Sequence, residues 1–156
     1  MRNATLAAIT ALLVLVAATG CGQTPPSVVP SALGPAAVCA LVEDMDALVG
    51  RTAVAPPGGY TGGTSDRCLW TYGRDPSRYV GVTVGPSALH DETIGVLGAG
   101  EAVAGLPADA RWWAAARTLS VAWGDRTLQV DVRLDEPTDP RELALGVAER
   151  IVGQAR

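Results

Sequence analysis

The 156-residue chain has no lysine and no phenylalanine, one histidine, His90, and one asparagine, Asn3. Each shortage closes off a class of chemistry. All 12 basic residues are arginines scattered along the chain. Without a basic stripe there is no surface to release counterions from a phosphate backbone, so nucleic acid is not an expected partner. A lone imidazole has no second one with which to build a zinc site, and no cofactor or metal is expected. Cys-x-x-Cys is absent, and with it that kind of redox pair. The most apolar stretch, residues 4–18, falls short of the ~20 residues of a permanent membrane span. What remains is 48% hydrophobic and 18% charged. That is a globular composition, and its length fits one domain once an export segment is removed.

The first 20 residues read as a bacterial lipoprotein signal peptide. Arg2 supplies a minimal positive end, and Leu12, Leu13, Val14, Leu15 and Val16 form an apolar centre. The stretch closes on Ala18-Thr19-Gly20-Cys21. Small residues followed by cysteine resemble the lipobox at which the lipoprotein signal peptidase cuts, which implies lipid on Cys21. The alternative is an ordinary secretory signal that leaves Cys21 as a free, oxidation-prone thiol. Loss of Arg2 takes the formal charge from −4 to about −5. Residues 21–37 carry four prolines and little that packs, and read as a tether between the lipidated cysteine and a domain spanning 38–156.

Two cysteines are left, Cys39 and Cys68. Outside the cytoplasm a disulfide is permitted, and with two partners its connectivity is fixed. A metal pair or redox pair is the competing reading, and neither has supporting neighbours.

The spacing of Val38, Leu41, Val42, Met45, Leu48 and Val49 predicts an amphipathic helix over 38–49, ended by Gly50, with Glu43, Asp44 and Asp46 on its solvated side. Residues 55–66 predict a glycine-rich surface loop. No lysine follows it, so it is not a phosphate cradle. Tyr60 at its centre is a candidate contact residue. Alternation predicts strands at 67–72 and 79–84, turned by Asp75-Pro76-Ser77. A short helix is predicted over 87–97, and four strands at 101–103, 110–115, 118–123 and 126–134. Gly124-Asp125 makes the last turn. Asp139 followed by Pro140 and Glu142 predicts a capped helix burying Leu143, Ala144, Val147, Ala148, Ile151 and Val152. Gly146 weakens that helix and suggests close packing on the sheet. The expected fold is α+β, an antiparallel sheet of about five to six strands with an N-terminal and a C-terminal helix packed on it.

Cys39-Ala40-Leu41-Val42, Cys68-x-Trp70, Val103-Ala104-Gly105-Leu106-Pro107-Ala108-Asp109-Ala110, Leu119-Ser120-Val121 and the final helix occur in that order across 38–156. This order resembles small actinobacterial lipoproteins of a domain-of-unknown-function family, similar in general plan to PsbP-like α+β domains. Pro107 departs from the glycine usual in that pattern. The resemblance implies an envelope location and a binding or accessory role, and brings no catalytic residues.

Ser87, His90 and Asp91 place a nucleophile, a base and a carboxylate together, but without a nucleophile elbow they form a poor triad. His90, Asp91 and Glu92 make an equally poor metal set. In a strand, Trp112 and Trp113 point to opposite faces. One ring is therefore core and the other is either covered by a helix or a partner contact, alongside Tyr60. The expectation is a non-catalytic lipoprotein, anchored on the extracytoplasmic face of the cell membrane, that binds an envelope protein, glycan or lipid. A carrier of lipid or another small apolar ligand and an envelope hydrolase are the alternatives.

Overall fold

Alternation of β-branched and polar residues builds the centre of the molecule. In the computed structural model, which describes residues 33–106, 109–135 and 139–154, Val80, Val82 and Val84 lie directly opposite Val132, Val130 and Leu128, all buried on one face. Their strands are β3 (Tyr79–Pro86) and β7 (Arg126–Arg133). The others are β1 (Gly58–Gly62), β2 (Ser65–Thr71), β4 (Glu101–Ala102), β5 (Ala110–Trp113) and β6 (Thr118–Trp123). The order is β1-β2-β3-β7-β6-β5-β4, with every pairing antiparallel. Two meanders thus meet at β3 and β7. Between them runs α3 (Ala88–Leu97), the helix foreseen over 87–97.

The fold is α+β as expected, but the sheet has seven strands rather than five to six. The additional one is β1, inside the stretch read as a glycine-rich loop. Its Gly-Gly-Tyr-Thr-Gly sequence carries no apolar alternation, and all five residues are exposed. Pairing with β2, from Gly58↔Leu69 to Gly62↔Ser65, makes it a strand. Gly59 allows the approach of the N-terminal helix, since a Cβ there would lie 2.8 Å from that of Pro35.

The predicted helix over 38–49 is two short ones, α1 (Pro35–Ala40) and α2 (Met45–Val49). The apolar stripe holds: Val38, Val42, Met45 and Val49 are all buried. The break, residues 41–44, takes in Glu43 and Asp44, and aspartates favour partners that a regular helix does not offer. Asp44 pairs with Arg150, and one Asp46 oxygen accepts both the Ala53 N–H and the Tyr72 hydroxyl, each at 3.1 Å. Of the three acids read as a solvated face, Asp44 and Asp46 are therefore anchors, while Glu43 is exposed as expected. The fold also begins earlier than residue 38, since Gly34 donates its N–H to the buried Asp66 at 2.9 Å.

Helix α4 (Pro140–Gln154) follows its sequence closely. Asp139 accepts the N–H groups of Arg141 and Glu142 at 2.7 and 3.2 Å, and all six residues of the expected stripe are buried. Gly146 faces α2 rather than the sheet: the nearest atom to a Cβ built there is Leu48 Cδ2 at 4.0 Å. That is open enough for a methyl group. Gly146→Ala should therefore stabilise the fold by about 0.5–1 kcal/mol, measured by urea unfolding. A loss would show a tighter contact than this.

Cys39 on α1 and Cys68 on β2 form a disulfide with Cα atoms 5.1 Å apart and a sequence separation of 29. Replacing both cysteines by alanine should cost roughly 3–4 kcal/mol in the chain-entropy account. Denaturant unfolding of the Cys21→Ser chain with and without the pair measures this, and an unchanged midpoint would contradict it.

Candidate binding groove beside the disulfide

The helices α1, α2 and α4 cover the valine face of the sheet, while α3 lies across the other face over β6 and β7. After α2, Gly50 turns the chain in the left-handed region at φ 69°. Residues 53–57 then run back beside the edge of the helical layer. They are held by the Ala53 N–H on Asp46 and the Val54 N–H on the Thr71 carbonyl at 3.0 Å. Pro56 and Pro57 stiffen the segment before β1 begins.

Between this segment and α1–α2 lies a groove of about 620 Å³. Cys39, Val42, Ala53 and Trp70 contribute its apolar surface, and Val54 to Pro57 form the outer wall. Val54 is 59% exposed. The charged side chains lining the groove, Glu43 and Asp46, are both carboxylates. Its volume lies within the few hundred to about 1,000 Å³ typical of ligand sites, and mostly apolar walls with a few fixed polar groups are their usual lining. The disulfide makes the inner wall rigid.

Tyr72 holds Asp46 in place. Burial pushes the phenol up from its ordinary value, and its hydrogen bond to the Asp46 carboxylate and that carboxylate's charge push it further. A phenol held neutral in the fold but free to ionise when unfolded contributes stability below its ordinary value near 10, and that contribution is lost as pH rises beyond it.

The sequence candidates lie elsewhere. Cys21 lies outside the described residues. Tyr60 is 45% exposed on β1. It stands opposite Arg67, on the sheet face away from the groove. The Arg67 guanidinium lies 5.5 Å from the Tyr79 ring centroid and pairs with Asp131 at 2.9 Å. Trp112 and Trp113 do point to opposite faces, yet both are buried. Trp112 packs in the core opposite Leu119. Trp113 is covered by the end of α3, with its indole N–H donated to the Gly98 carbonyl at 2.9 Å. Neither ring offers a contact surface, because the turn after α3 closes over the outer one.

Ser87, His90 and Asp91, judged a poor triad from sequence, do not come together through the imidazole. His90 is buried and reaches instead Ser120 Oγ, 2.9 Å from Nδ1, and Asp109 Oδ2, 3.6 Å from Nε2. Arg111 holds the Asp109 carboxyl below its usual range, chiefly by hydrogen bonding. A serine, an imidazole and a carboxylate therefore do line up, but Ser120 is fully buried in β6. Sequence spacing could not pair a helix residue with a strand residue 30 positions away. Among the described residues, no three His, Cys, Asp or Glu side chains converge to hold a metal ion.

No family model, curated protein or solved structure matches this chain.

Tyr72→Phe tests the wall of the groove. It should cost about 1–2 kcal/mol at neutral pH. It should also remove part of the stability loss of the wild type above pH 10, a part of at most about 1.4 kcal/mol per pH unit for a single proton. Identical alkaline unfolding of both proteins would show that Tyr72 ionises freely in the fold.

Proposed function

We propose that this chain is an extracytoplasmic lipoprotein, anchored to the cell membrane through Cys21, which binds a partner of the cell envelope in the groove beside Cys39–Cys68. The observation that carries the reading is the pair of sulfur roles. Ala18-Thr19-Gly20-Cys21 closes an export-like segment, and the two remaining cysteines form a disulfide, a bond that persists in oxidising compartments. Thioether-linked lipid with further acylation gives the two or three chains that stable anchoring needs, since one chain alone binds marginally. The resemblance to small actinobacterial lipoproteins points the same way.

A binding role is supported over hydrolysis by the burial of Ser120. A nucleophile has to reach the scissile group, and this hydroxyl has no exposed surface. Recognition by the groove is supported over carriage of a lipid by its acidic lining, since burying carboxylates against an acyl chain is unfavourable.

Radiolabelled palmitate fed to the expressing cells should enter the wild-type protein, which should partition with membranes. The Cys21→Ser protein should take up no label and appear in the soluble fraction. An unlabelled wild type that fractionates like Cys21→Ser would overturn the anchor.

A further inference from the structure

The groove's lining specifies more than apolar contact. Its outer wall passes through Pro56 and Pro57, which have no backbone N–H. The Ala53 and Val54 N–H groups are already given to Asp46 and Thr71. The wall therefore offers carbonyl acceptors and few donors. On the helical side Glu43 and Asp46 again offer acceptors and negative charge. The floor is the partly exposed Cys39, with Trp70 almost wholly buried beneath it, and the rim carries the exposed Val54. An occupant must bring apolar side chains for the floor and rim. It must also bring N–H donors and positive charge for the walls.

The geometry points to an extended peptide segment of a partner envelope protein in which basic and apolar side chains alternate. Alternation puts the apolar set against Cys39 and Val54 and the cationic set toward Glu43 and Asp46. The mature chain's charge of about −5 favours such a partner at long range and disfavours anionic headgroups. The chain's own residues 22–32 do not meet the requirement, because they contain no basic side chain. They also join the fold at Leu33, beside Asp66 and before the start of α1, whereas Cys39 and Ala40 at its far end line the groove. This inference rests on the groove being the binding site, and the experiment separates the two.

Three short synthetic peptides are titrated into the oxidised Cys21→Ser chain by calorimetry, with backbone NMR shifts locating each. One alternates leucine with arginine, one leucine with glutamate and one leucine with serine. The leucine–arginine peptide should shift residues 39–57 and bind roughly tenfold tighter than the leucine–serine peptide, weakening as salt is raised. Glu43→Gln, an exposed position, should lower its affinity several-fold and flatten the salt dependence. Val54→Ser should weaken the leucine–arginine and leucine–serine peptides alike. If the serine or glutamate peptide fills the groove as tightly as the arginine one, the inference of a basic partner falls and the groove reading stands. If none shifts residues 39–57, or if all shifts fall on the Tyr60–Arg67 face, the groove reading falls with it.

Discussion

The bond between Cys39 and Cys68 fixes the N-terminal layer of this protein to its sheet. Helices α1 and α2 have six and five residues, well under the ~12–15 at which an isolated helix becomes even marginal in water. Local propensity cannot place them. They are held by the disulfide, by the Gly34 N–H on Asp66, by the burial of Val38, Val42, Met45 and Val49, and by the carboxylates of Asp44 and Asp46 reaching Arg150 and Tyr72. The covalent tie differs from the rest because it also limits the unfolded chain. It fixes the partly exposed Cys39 beside the groove over the fully buried Cys68.

The two faces of the sheet have different tasks. The valine face is closed by three helices and forms the core. The opposite face is polar: α3 seals its β6–β7 half through His90, Ser120 and Trp113, while Arg67 pairs with Asp131 and lies against Tyr79 in the other half, its buried Nε without a hydrogen-bond partner. The Arg67–Asp131 pairing leaves little free charge there, a reason to look elsewhere for binding. Groups already paired gain little from a partner, whereas the groove presents an exposed valine, a proline wall and carboxylates whose remaining oxygens can accept.

Much of the fold was legible in the sequence. Strand β6 is bounded by Thr118 and Trp123 as expected, and α4 shows its cap and stripe residue by residue, because periodicity and capping are local signals. The disulfide followed from counting cysteines. Strand β1 was not legible, since a glycine-rich strand takes its order from its neighbour rather than from its own side chains. The break between α1 and α2 was hidden for a similar reason: the stripe from Val38 to Val49 is continuous, and only the distant Arg150 and Tyr72 reveal what Asp44 and Asp46 prefer. The site was the least legible part. Tyr60 and the tryptophans drew attention as residue types, but the groove is made of alanine, valine and proline, whose arrangement no motif announces.

Amide hydrogen exchange on the Cys21→Ser chain, oxidised and then reduced, tests the central dependence directly. Reduction should remove protection from residues 35–57 while β3, β7 and α4 stay protected, because the sheet core does not need the bond and the N-terminal layer does. Unchanged protection across residues 35–57 after reduction would show that packing alone holds α1 and α2, and would contradict the account.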